Sequence, residues 1–232
     1  MNKDYENLLA FWNQSLKLNE DEFNKTKGTI DPDKDWESLA PSTKLIDALK
    51  ELKDATNVLD YGCGSGWASI VLAKLGAQKI TATEVAPNAI QSANAYIEAF
   101  GETSKIKTLL INEVWLKEQS KHQYDGFYCS NVIDVVPLSM AKDIIASSYE
   151  VTAPLAKVIF STNYYIDPEK MKERGFQVDG TKIYIDGILR LNSLTDEEWT
   201  NIFKTYYKKV DIRYFAWPGE KEEHRRIFIL SK

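Results

Sequence analysis

The stretch Val58-Leu59-Asp60-Tyr61-Gly62-Cys63-Gly64-Ser65-Gly66-Trp67-Ala68-Ser69-Ile70 decides how the rest of the chain is read. An apolar run that opens on a β-branched residue breaks at three glycines spaced two apart and resumes as an apolar segment from Trp67 to Leu75. This pattern predicts a buried strand, a tight loop and a helix. Glycine lets the loop backbone adopt positive φ and lets a ligand come close where a Cβ would collide. The free N–H groups at the start of the following helix favour a polar or anionic group. The stretch reads as a ligand cradle whose G-x-G-x-G spacing is one residue shorter than the dinucleotide fingerprint G-x-G-x-x-G.

Working downstream, Gly76 closes the predicted helix and Lys79 to Thr83 predicts a second short strand ending at Glu84. An acidic side chain at that strand end can accept both ribose hydroxyls of an adenosine ligand, and its charge would repel the 2′-phosphate of NADP. The bland alternative is an ordinary surface glutamate. Pro87, Ile90, Ala93, Ile97 and Phe100 follow at helical spacing up to Gly101, and Lys105 to Ile111 predicts a third strand with Asn112-Glu113 at its end.

At these residues the chain resembles the class I S-adenosylmethionine-dependent methyltransferases, whose first motif is similar to V-L-D-x-G-C-G-x-G. The resemblance places Asp60, Gly62, Cys63, Gly64 and Gly66 on motif positions around the methionine portion of the cofactor S-adenosyl-L-methionine. It also places Glu84 at the ribose, Val85 against the adenine face, and Asn112 or Glu113 near the adenine amino group. One residue of that last pair can equally cap the next helix. Tyr124 to Val132 resembles the family's fourth strand, and Asn131-Val132-Ile133-Asp134-Val135-Val136-Pro137 resembles its N-V-L-x-H-V-P segment. The resemblance thus directs Asn131 and Asp134 toward the transferred methyl. Asp134 is the single weak catalytic candidate, with helix capping as its bland role.

Upstream, Tyr5, Leu8, Leu9, Trp12 and Leu16 form one helical apolar stripe, either covering the sheet or acting as a lid over cofactor and substrate. Trp12, Trp36 and Tyr164 are candidate substrate contacts, each with ordinary core packing as the alternative. Met140 to Tyr149 predicts a helix, and Leu155 to Thr162 a fifth strand preceded by a turn at Ala153-Pro154. Residues 166–194, carrying Gly175, Gly180 and Gly187 among alternating apolar residues, predict an inserted hairpin or cap, in which Arg190 beside Asp186 reads as a solvated ion pair. Thr195 with Glu198 signals a helix start. Two alternating segments, Lys208 to Trp217 and Arg225 to Lys232, predict a closing antiparallel pair with His224-Arg225-Arg226 at the surface.

Five strand–helix steps and a final hairpin predict an α/β fold with a doubly wound, Rossmann-like, mostly parallel sheet. The resemblance implies seven strands with the last antiparallel. One domain is expected over residues 1–232: an N-terminal lid or cap at 1–40, a core at 41–165 and 195–232, and the insertion at 166–194. The chain has 232 residues, 44% hydrophobic and 27% charged, with a net charge of −5 that opposes attraction to nucleic acid. No apolar run reaches the ~20 residues that span a bilayer and no secretory signal opens the chain, so a cytoplasmic protein with no membrane partner is expected. Cys63 and Cys129 sit in apolar strand-like surroundings, so neither a disulfide nor a metal is expected.

The expected function is methyl transfer by in-line displacement to a small-molecule acceptor, suggested by the 12% aromatic content. Two rivals are a non-catalytic cofactor- or partner-binding protein of this fold and an NAD-dependent oxidoreductase. The second is disfavoured by the glycine spacing.

Overall fold

The computed structural model describes residues 3–232, with side chains from Tyr5 onward. Helices α1 (Lys3–Ser15), α2 (Glu20–Thr26) and α3 (Thr43–Leu49) precede β1 (Val58–Tyr61). Three strand–helix steps follow, with α4 (Trp67–Leu75), β2 (Ile80–Glu84), α5 (Pro87–Ala99), β3 (Ile106–Leu110), β4 (Tyr124–Ser130), α6 (Leu138–Val151) and β5 (Thr152–Thr162). Residues 166–194 hold α7 (Pro168–Glu173) and a three-stranded antiparallel sheet of β6 (Gln177–Asp179), β7 (Lys182–Ile185) and β8 (Ile188–Asn192). The chain then returns through α8 (Asp196–Lys204) to β9 (Lys209–Phe215) and β10 (Arg225–Ser231).

The main sheet has seven strands in the order β3-β2-β1-β4-β5-β10-β9. β1 to β5 pair in parallel and β10 runs antiparallel to both β5 and β9. This is the expected doubly wound sheet with one reversed strand. Successive residues of a strand face opposite sides, so each central strand feeds two apolar layers. Val58, Ile159 and Ile229 join the layer under α3, α4 and α5, while their neighbours Leu59, Phe160 and Phe228 join the layer under α1, α6 and α8. The second layer is aromatic at its centre: Phe160 lies 5.4 Å from Phe127 and 5.2 Å from Phe203, which lies 4.9 Å from Phe228.

Three local expectations are corrected. β5 starts at Thr152 rather than at Leu155, because Pro154 falls where the register with β4 shifts between Tyr124 and Gly126 and beyond the end of β10 at Lys157. A proline is tolerated there because no ladder N–H is required of it. Arg225 and Arg226 are buried, since both already pair within β10, and Arg226 donates to the carbonyls of Asn163 (Nε, 2.8 Å) and Leu194 (Nη1, 2.7 Å) and pairs with Asp196 at 3.2 Å. The Arg190 guanidinium lies 4.0 Å from the centroid of the Phe11 ring and 6.0 Å from that of Trp12, so β8 packs on α1 instead of presenting a solvated ion pair.

Candidate functional site

The loop after β1 is fixed by backbone geometry before any side chain acts. Gly62 and Cys63 both donate their N–H to the carbonyl of Thr83 on β2, at 2.8 and 2.9 Å, which folds the loop over the ends of β1 and β2. Gly62 sits at φ +74°, and a Cβ there would lie 2.4 Å from Cγ2 of Val132, so a side chain is excluded twice. Gly64, at φ +54°, has open space where its Cβ would stand. Gly66 caps α4 in the left-handed region, and the N–H of Ile70 closes the first turn on its carbonyl at 3.1 Å.

Two buried carboxylates stand behind this loop. Glu84 Oε1 accepts from the N–H groups of Val85 (2.7 Å) and Ala86 (3.2 Å), and its Oε2 accepts from Gly64 (3.1 Å). Burial pushes its carboxyl above the usual range, while those three donors favour the charged form. Burial pushes the Asp60 carboxyl up to about 7, against the Ser69 hydroxyl that donates to Oδ2 at 2.5 Å. The Cys63 and Cys129 thiols are free, buried and pushed up by desolvation, which makes them poor nucleophiles.

Asp60, Cys63 and Glu84 line one wall of a cavity of about 270 Å³ at the carboxyl ends of β1, β2 and β4, where ligands of open α/β sheets bind. The α1 stripe forms the roof, since Tyr5, Leu8, Leu9, Trp12 and Leu16 all line it. Asn13 fixes that roof: its Oδ1 accepts from Asn88 N–H and its carbonyl from Asn88 Nδ2, both at 2.9 Å. Of the residues expected from sequence, Asp60, Gly62, Cys63, Gly64, Glu84, Val85, Asn131 and Trp12 line the cavity, and Gly66 sits behind it at the α4 cap.

The others lie elsewhere. Asn112 and Glu113 are exposed past β3, and Ile111 occupies the wall instead. Trp36 packs half-buried on the layer of α3 to α5, and Tyr164 lies 3.9 Å from the His224 ring in a separate surface hollow. Asp134 is fully buried outside the lining, where its Oδ2 accepts from the backbone and side-chain N–H of Asn163, both at 2.8 Å. Burial raises its carboxyl as well.

Sequence reading missed Trp67, Tyr128, Ser130, Met140 and Trp217, all in the lining. Only the first stood in the quoted stretch. Among the described residues no group of three His, Cys, Asp or Glu is arranged to hold a metal, and no helix is long and apolar enough to cross a membrane. The cradle does fit S-adenosylmethionine in kind. It offers an open face at Gly64, a buried acid at the second strand end and apolar walls.

The model of the ribosomal protein L11 methyltransferase (PrmA) family matches residues 40–183. The ribosomal protein L11 methyltransferase of Prochlorococcus marinus is 33% identical over 160 residues, 66% of this chain and 50% of that protein. That of Ruminiclostridium cellulolyticum is 34% identical over 97 residues, 41% and 29% respectively. The chain thus spans half or less of the length of these relatives. Among solved structures, a protein from Pyrococcus horikoshii OT3 shares the fold with a TM-score of 0.64 at 16% identity, over 82% of this chain and 90% of that one. The 1,6-didemethyltoxoflavin-N1-methyltransferase of Burkholderia thailandensis, solved with S-adenosylhomocysteine, gives 0.63 at 14% identity, over 92% and 86%. The names of the sequence relatives overturn the expectation of a small-molecule acceptor, because those enzymes are named for a protein. Aromatic content carried that expectation, and Trp36 and Tyr164 stand outside the cavity. By the family match over residues 40–183, the chain belongs to the ribosomal protein L11 methyltransferase (PrmA) family, within the class I S-adenosylmethionine-dependent methyltransferases.

Proposed function

We propose that this chain transfers a methyl group from S-adenosylmethionine to a protein acceptor, with ribosomal protein L11 the first acceptor to test. The observation that carries the reading is the cradle itself: Gly62 and Gly64 at positive φ, with Glu84 holding the loop from the end of β2, under an apolar roof. When bound, the cofactor supplies an electrophilic methyl on a sulfonium whose thioether leaves without protonation. The residues of the chain then have three tasks. The glycine loop and Glu84 hold the amino-acid and ribose ends, Val85, Ile111 and Val132 enclose the base, and the α1 roof excludes water.

The acceptor enters past Ser130 and Asn131 at the end of β4, where the Ser130 hydroxyl donates to Asn131 Oδ1 at 3.3 Å. Asn131 holds φ +54°, an orientation that turns this residue at the strand end. The carboxylates in the lining are Asp60 and Glu84, each already engaged by donors of the chain, so the site suits a nucleophile that arrives with a free lone pair. Incubation with radiolabelled S-adenosylmethionine and purified L11 tests the proposal. Label in L11 supports it, and an unlabelled L11 in the presence of tight S-adenosylhomocysteine binding contradicts the acceptor.

A further inference from the structure

Trp217 lies on the turn between β9 and β10, far in sequence from the cradle, yet it lines the same cavity while 39% of it stays exposed. It is therefore a rim residue. Its position in the sheet order is informative. Glu84 ends β2 and the glycine loop follows β1, so the cofactor occupies the β2–β1–β4 side, whereas Trp217 hangs from the β10–β9 side. At ~4.8 Å per strand, the three to four spacings from β1 to β10 and β9 put the base of that turn about 14–19 Å along the sheet from β1. Asn131, at the end of β4, stands between the two.

The rim tryptophan is held rigidly. The Arg225 guanidinium stacks 3.6 Å from its ring centroid, and Arg225 is clamped by Glu220 through Nε (2.8 Å) and Nη2 (2.6 Å). The same Glu220 accepts the backbone N–H of Trp217 at 2.8 Å, and the Arg225 charge pulls the Glu220 carboxyl down to about 2. Arg225 also donates through Nη1 to Asn163 Oδ1, and Asn163 donates to the buried Asp134 Oδ2. A chain of hydrogen bonds thus ties the end of β5 and the segment after β4 to the turn that carries Trp217. The ring is thus covered on one face by a guanidinium that is itself clamped, and the backbone N–H of Trp217 is tied to the same carboxylate. The lining to which Trp217 belongs also includes Trp67, Pro41 and Leu45.

We propose that Trp217 is a specificity-determining residue for the acceptor, packing the apolar stem of the acceptor side chain, and that Glu220 and Arg225 are its positioning residues. The inference rests on the proposed methyl transfer to protein. Preorganised aromatic rings in partly desolvated sites give up little entropy when they bind, which is why tryptophan anchors dominate many interfaces.

The test is steady-state kinetics on purified L11 with S-adenosylhomocysteine titrations run in parallel. Trp217→Ala is expected to raise KM for L11 about tenfold, with kcat and the S-adenosylhomocysteine Kd within about twofold of wild type. Trp217→Phe restores most of the loss, and Glu220→Gln raises KM about threefold with the cofactor Kd unchanged. An unchanged KM in Trp217→Ala overturns the proposal, as does a loss of S-adenosylhomocysteine affinity with KM for L11 intact, which would put Trp217 on the cofactor side. A wild-type protein that binds S-adenosylhomocysteine and leaves L11 unmethylated overturns the acceptor reading and this proposal with it. Because Trp217 is exposed, the variants are expected to fold, and a thermal midpoint within a few degrees of wild type checks this.

Discussion

At the scale of single residues, the cradle depends on one atom that is absent. Gly62→Ala adds a Cβ 2.4 Å from Val132 Cγ2 at a backbone angle that alanine disfavours, and is expected to cost about 1–3 kcal/mol. Part of that loss returns in the double variant with Val132→Ala, where only the backbone strain persists. Urea unfolding of the two singles and the double separates clash from strain, and strictly additive losses would contradict the clash. Asp60 gives a pH signature. Its folded-state carboxyl sits at about 7, above the value near 4 of an unfolded chain, so the native state keeps a proton that the unfolded state has released. Its contribution to stability is complete below about pH 4 and is lost as pH rises through 7. Glu84 and Asp134 are shifted in the same direction and add to the slope. Thermal midpoints from pH 5 to 8 are expected to fall in the wild type and to fall less steeply in Asp60→Asn; equal slopes would refute the assignment.

At the scale of elements, α1 and the Asp134 junction carry the account. The roof is joined to α5 by Asn13 with Asn88 and by the Ser92 hydroxyl donating to the Leu16 carbonyl at 2.7 Å. Asn88→Ala removes the side-chain hydrogen bond to the Asn13 carbonyl while keeping the backbone one, a loss of about 0.5–1.5 kcal/mol confined to the docking of α1. Amide exchange is expected to quicken across α1 and to stay unchanged in β1, and uniform exchange would show that α1 is not a separate unit. Asp134 was read from sequence as a residue facing the methyl, whereas in the fold it receives both N–H groups of Asn163 and faces the buried Arg226. Asp134→Ala therefore leaves both Asn163 donors without their acceptor and removes a charge that faces Arg226, and is expected to lower stability by about 2–4 kcal/mol. A variant of undiminished stability with abolished turnover would restore the catalytic reading.

At the scale of the whole molecule, the legible parts were those in which neighbours in sequence are neighbours in space. The cradle and Glu84 are short-range features of β1, α4 and β2, so glycine spacing and strand ends located them. The α1 stripe was legible as a face, though its choice between sheet cover and roof needed the fold. Asn112 and Glu113 illustrate the limit. β3 ends at Leu110, the Ile111 N–H donates to the Glu84 carbonyl at 2.9 Å, and the apolar side chain takes the wall while the polar pair turns outward. One residue of register decides that outcome. Trp217 and Tyr128 carried no local signal, because only the strand order β4-β5-β10-β9 brings their segments to one cavity.

The central claim is that the ends of β1 and β2 form an S-adenosylmethionine cradle, and calorimetric titration with S-adenosylmethionine, S-adenosylhomocysteine and NADH tests it most directly. The account predicts tight S-adenosylhomocysteine binding, weakened about tenfold or more by Glu84→Ala, which removes the acceptor of three loop N–H groups. No heat is expected from NADH. NADH binding alone, or silence toward all three ligands, would contradict the account.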